Sequence, residues 1–171
     1  LKHAKKAYGD FCAALLRAGT TTSAIYGTSH TAATELLMKL LDKSGLRAFV
    51  GKVLMDRNAP QNLVQKAQPA LEELESLIKR WSKHERVKPS ITVRFAATST
   101  VELLKGAGSL AQKYPDLVVQ THIAETQDEI RWIKELFPTS QTYAQVYDAV
   151  GLVHGRTLLA HGIHLEDSEL N

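Results

Sequence analysis

The strongest constraint on what this chain can fold into is a rhythm. Five short runs rich in β-branched and apolar residues, at 20–26, 48–55, 90–95, 117–120 and 157–160, alternate with stretches of helical periodicity. The candidate strand ends, Tyr26, Met55, Arg94, His122 and His161, lie 29, 39, 28 and 39 residues apart. Each interval holds helical sequence, so consecutive strands are expected to run parallel, joined by right-handed crossovers. Two α/β architectures fit such a series: a doubly wound open sheet, or part of a (β/α)8 barrel. A complete barrel needs about 250 residues, and this chain has 171. Length by itself favours the open sheet; the residues at the strand ends point the other way.

Local signals place the helices. Ala4, Ala7, Tyr8, Phe11, Leu15 and Ala18 share one face before Gly19, a plausible stop. A second helix at 33–43 presents Leu37, Leu40 and Leu41 and ends at Gly45. After the loop at 56–60, a long helix aligns Leu71, Leu74, Leu77, Ile78 and Trp81. Ser99 with Glu102, and Thr126 with Glu129, have capping-box spacing. A helix through Ile130, Ile133 and Leu136 stops at Pro138, a shorter one follows at 143–150, and residues 166–169 read as the start of another. No low-complexity segment or linker interrupts the series, so residues 1–171 read as one segment.

Composition narrows the function classes. No apolar run approaches the roughly 18 residues of a membrane helix, and the first six residues, LKHAKK, lack a secretory pattern. The formal charge of +3 is small, and the cluster Lys79, Arg80, Lys83, Arg86 and Lys88 reads as a solvated helix end, which gives nucleic-acid binding no support. The single cysteine, Cys12, excludes an intrachain disulfide and fits a reducing, cytoplasmic setting.

Ligands of parallel α/β folds bind beyond the carboxyl ends of the strands. His122 and His161 occupy that edge on successive strands, close enough to share one metal ion or ligand. Glu125 follows His122 by three residues; it also suits a helix N-terminus electrostatically. Arg94 and Phe95 offer a forked donor beside an aromatic face, suited to a planar, carbonyl-bearing ligand. His3, His30, His84, His154 and His164 lie in polar or packing contexts with weaker claims, and no phosphate loop, nucleophile elbow or Cys-rich zinc motif is present.

Set in order, "AGTTTSAIYGTSH", "RAFVGKVLMD", "VRFAATST", "DLVVQTHIAETQDEIRWIKELFP", "YAQVYDAVGL" and "TLLAHGIHL" resemble blocks of the guanine deaminase family, zinc-dependent members of the amidohydrolase superfamily. The resemblance covers nearly the whole chain. It implies a (β/α)8 barrel of the metal-dependent hydrolase type, hydrolysis of guanine to xanthine and ammonia, a zinc cofactor and a homodimeric parent protein. By this resemblance His122 is a zinc ligand that also meets the substrate. Glu125 is the proton shuttle, His161 orients the hydroxide and the substrate, and Arg94 with Phe95 holds the purine.

Three positions depart from the family pattern without removing a reactive group: Ala124, Val93 and Gly162, where serine, proline and cysteine are frequent. A larger departure is that no His-x-His pair occurs and the aspartate expected after an eighth strand is missing. The chain therefore reads as barrel strands two to six, lacking the first and last, and by itself is expected to bind zinc weakly and not to turn over guanine. Two other readings fit the residues: an amidohydrolase deaminase or chlorohydrolase of another purine, pterin or triazine ring, or a non-catalytic five-stranded α/β ligand-binding domain.

Overall fold

The computed structural model describes residues 1–170. Among them the five runs form one parallel sheet: β1 (Thr22–Tyr26), β2 (Arg47–Leu54), β3 (Val87–Val93), β4 (Val119–Ile123) and β5 (Thr157–His161). The strands lie side by side in sequence order. A doubly wound sheet reverses its order at a switch point; this one never does. The sheet also curls. Gln120 on β4 reaches the Ile25 carbonyl on β1 at 3.1 Å, although β2 and β3 lie between them. On a flat sheet those strands would stand three spacings apart, roughly 14 Å. The wall is that of a partial (β/α)8 barrel, and the open sheet favoured by length is set aside.

The helices α1 (Lys2–Arg17), α2 (Thr31–Ser44), α3 (Ala67–Trp81) and α4 (Val101–Lys113) alternate with the strands, and α5 (Gln127–Leu136) and α6 (Tyr143–Asp148) both lie between β4 and β5. Their apolar stripes supply the core. Leu37, Met38 and Leu41 of α2 pack with Ile25, Ala48 and Val50. Leu74, Leu103, Leu104, Val146 and Tyr147 pack with Ile91, Val93, Val119 and Ile123. Each fully buried leucine contributes about 2–3 kcal/mol from area removed from water, which is what holds the strand ends in fixed positions. Among the described residues no helix is long and apolar enough to cross a membrane.

Several boundaries differ from the sequence reading, for identifiable reasons. β3 starts at Val87 and runs through Pro89, paired with Val50. Ile91 N–H points at β4, as its bond to Val118 O shows, so the ring nitrogen of Pro89 faces the same way. Pairing with β4 begins only at Ile91, and no ladder bond is lost. Helix α4 is capped by Thr100, not Ser99: Thr100 Oγ1 accepts from Leu103 N–H at 3.2 Å, while Ser99 Oγ turns back to the Phe95 carbonyl. Asp56 selects between them, accepting from the Thr100 amide at 2.7 Å and its hydroxyl at 2.5 Å. Thr126 caps α5 as expected, accepting from Glu129 N–H. The segment at 166–169 is a single 3-10 turn with a capping box between Glu166 and Glu169.

Candidate active site

Alternation along the strands decides what meets at the carboxyl edge. Ile91, Val93, Val119 and Ile123 face the helices, which leaves Thr92, Arg94, Gln120 and His122 on the concave side. Gln120 Nε2 lies 3.0 Å from Ser90 Oγ and 2.9 Å from Thr92 Oγ1, forming a buried polar floor. Above that floor His122 is held on several sides. Its backbone N–H donates to the Arg94 carbonyl at 3.2 Å, and its Nδ1 lies 2.6 Å from the same oxygen. A ring nitrogen against a carbonyl carries the proton, so Nδ1–H donates and Nε2 keeps its lone pair in the neutral ring.

His161 reaches the site by a backbone device. In register it pairs with Ile123, and it is Ala160 that pairs with His122. The two histidines are therefore not at matching positions, as their strand-end placement suggested; plain alternation would send His161 toward the helices. Its φ of 72° turns the chain into the left-handed region, and the imidazole stacks beside His122 with centroids 5.3 Å apart. Ala124 is also left-handed, at φ 50°, bending the chain so that Glu125 Oε2 comes within 3.4 Å of His161 Nε2. Left-handed backbone at two non-glycine residues costs about 1–3 kcal/mol each and persists where surrounding structure enforces it. Here that structure includes Gly162 N–H donating to Ile123 O at 2.9 Å and His164 N–H to Ala124 O at 3.1 Å.

Beyond the end of β3, the Arg94 guanidinium lies 5.1 Å from the Phe95 ring centroid, and Trp132 of α5 meets Phe95 edge-on at 6.1 Å. Arg94, Phe95, His122, Glu125, Trp132 and His161 line one open cavity of about 710 Å³, a size typical of small-molecule sites, roughly 300–1,000 Å³. All five residues singled out in the sequence thus share one hollow.

Three others were not singled out. Tyr26, ending β1, lies against His122 with ring centroids 4.3 Å apart. Trp132 sits off the apolar stripe of α5 defined by Ile130, Ile133 and Leu136, and an aromatic residue off the core face was a readable signal. Tyr147 of α6 carried no such signal. Its fully buried hydroxyl accepts from Ala96 N–H at 2.8 Å and from Thr121 Oγ1 at 3.1 Å, and donates to His122 O at 2.9 Å. It thereby locks the turn after Phe95 to the end of β4.

Burial pushes the Tyr147 phenol up to about 12, and Tyr143, beside it, is raised as well, chiefly by burial. A raised folded value means that the stabilisation is complete below the unfolded value of about 10 and is lost as pH climbs from there to 12. Tyr147 alone should remove about 3 kcal/mol over that window. Denaturant midpoints measured across it should fall steeply, and less steeply in Tyr147→Phe. A flat profile in the wild type would exclude the linkage.

No three His, Cys, Asp or Glu side chains among the described residues converge as a metal cage. His122 nonetheless has the donor chemistry of a zinc ligand: a neutral imidazole with Nδ1–H anchored on a carbonyl and Nε2 presented. It fits one position of a set that takes about three protein ligands at a catalytic zinc.

Comparison with known proteins agrees with this geometry. Residues 2–171 match the amidohydrolase family. Guanine deaminase of Escherichia coli (strain K12) is 40% identical over 99% of this chain and 38% of its own length. That of Homo sapiens is 36% identical over 98% of this chain and 37% of its own length. The crystal structure of guanine deaminase from C. acetobutylicum with bound guanine in the active site superposes with a TM-score of 0.96 at 40% identity, over 99% of this chain and 41% of that one. An atrazine chlorohydrolase from Arthrobacter aurescens TC1, complexed with zinc, shares the fold at a TM-score of 0.83 and 18% identity, over 95% of this chain and 39% of that one. The chain thus spans about two fifths of the length of these relatives.

Proposed function

The chain belongs to the amidohydrolase family, and on that premise we propose that it is the part of a guanine deaminase that carries barrel strands two to six. The reaction would be guanine plus water to xanthine plus ammonia. One observation carries the reading: the Arg94–Phe95 pair and the His122, Glu125 and His161 groups wall a single cavity in a chain 40% identical to a guanine deaminase.

His122 would hold the zinc through Nε2, together with ligands from outside these residues. Zinc, when bound, makes hydroxide available at neutral pH. The chain's own residues account for the rest. Phe95 and Trp132 offer faces for a flat ring, and Arg94 donates to its carbonyl oxygen. Glu125 takes the proton of the attacking water and gives it to a ring nitrogen as C2 becomes tetrahedral. It then takes the proton of the new C2 hydroxyl and passes it to the amine, which leaves as ammonia as the C2–N bond breaks and the C2 carbonyl forms. His161, 3.4 Å from Glu125, orients the water and the substrate. The reading carries with it a dimeric parent in the cytoplasm, with a purine as its small-molecule partner and neither nucleic acid nor membrane involved.

A segment exchange tests the proposal. Residues 2–171 placed in the corresponding stretch of the E. coli enzyme should yield a zinc protein that deaminates guanine in preference to adenine. A well-folded zinc-loaded chimera that prefers adenine, or a pterin or triazine ring, would move the assignment to another amidohydrolase.

A further inference from the structure

Resting on that reading of His122 as the zinc ligand, we propose that Tyr26 is a positioning residue of the active site. Its ring holds the His122 imidazole in the orientation that presents Nε2.

The geometry is unusual because the two residues belong to strands that are not neighbours. β1 and β4 are separated by β2 and β3, yet the ring centroids of Tyr26 and His122 lie 4.3 Å apart, tilted by 46°. Curvature of the wall brings them close, and the register removes the obstacle. Opposite Tyr26 on β2 stands Gly51, and beyond it Thr92 fills the space where a β-carbon of residue 51 would be. A side chain at 51 would collide with Thr92 of β3.

His122 is consequently flanked by the Tyr26 ring and by the His161 ring at 5.3 Å, and held at Nδ1 by the Arg94 carbonyl. The Arg94 bond sets the tautomer and the ring's in-plane direction. It leaves the ring able to tilt about that bond, and the flanking rings oppose the tilt. Both flanking residues end strands of the same wall, Tyr26 on β1 and His161 on β5.

The hydroxyl shows which part of Tyr26 acts on His122. Tyr26 Oη is buried and has no hydrogen-bond partner among the described residues. A buried hydroxyl left unpaired is unfavourable, and a phenylalanine would supply the same ring face without that cost. The contact with His122 is therefore made by the ring face, which a phenylalanine would preserve.

The test uses the full-length protein and two variants. Tyr26→Leu removes the ring face and should weaken zinc binding 10–100-fold, as loss of an outer-shell partner does, measured by competition with a chelator. Tyr26→Phe keeps the ring, so zinc affinity should stay within about threefold of wild type. Wild-type zinc affinity in Tyr26→Leu overturns the proposal, as does a tenfold or greater loss of zinc affinity in Tyr26→Phe, which keeps the test decisive if the leucine variant does not fold. Failure of the underlying reading looks different: the wild-type protein itself would then bind no zinc or leave guanine untouched.

Discussion

Glutamine in place of Glu125 should lower kcat for guanine by about 10²–10⁴-fold in the full-length protein, the range associated with loss of a general acid–base group. KM and zinc content should change little. The side chain of Glu125 is 49% exposed and meets His161 Nε2 at 3.4 Å, so the change leaves packing intact. Glutamine has the same shape and can still bond to His161, yet it cannot carry a proton between water, ring nitrogen and leaving amine at neutral pH. The expected signature is a defect confined to turnover. A comparable rise in KM would mean that the carboxylate mainly binds substrate, and unchanged turnover would remove Glu125 from the chemistry altogether.

Gly51→Ala should be among the most damaging single-atom additions in the chain. The added β-carbon would lie 1.8 Å from Thr92 Oγ1 and 2.4 Å from Thr92 Cβ. Moving Thr92 disturbs Gln120, which bonds to Thr92, Ser90 and the Ile25 carbonyl and so ties β1, β3 and β4 together. Overpacking of a tight interior costs about 1–3 kcal/mol, and loss of a buried polar partner adds about 1–3 kcal/mol. The denaturation midpoint of the full-length protein should drop accordingly. Thr92→Ala in the same background should relieve only part of the loss, because its Cβ remains in the way; complete relief would show that the hydroxyl alone was the obstacle.

Much of the fold was legible because local patterns and burial agree. The apolar stripe Leu71, Leu74, Leu77, Ile78 and Trp81 on α3 and the αL cap at Gly45 (φ 80°) are short-range features. Periodicity finds them because neighbouring residues decide them. The caps show where that reasoning stops. Thr126 was readable because its partner, Glu129 N–H, is three residues away. Thr100 was not, because the group that favours it over Ser99 is Asp56, on another loop.

The site divides along the same line. The kinds of chemistry available were set by the residues themselves: an imidazole and a carboxylate three apart at a strand end, a second histidine ending the next strand, an arginine beside an aromatic ring. Their order along the chain also set the parallel βα rhythm, since hydrophobic periodicity and crossover length are local properties. Three decisions required the tertiary structure. Curling of the sheet, rather than its length, made the wall part of a barrel and brought β1 against β4. A left-handed backbone at His161 (φ 72°) put its ring beside His122 against the alternation of β5. Tyr147 joined the turn after Phe95 to the end of β4 from a helix that follows both in sequence. Each depends on contacts between residues far apart in the chain, where spacing carries no information and only the packed geometry determines which groups meet.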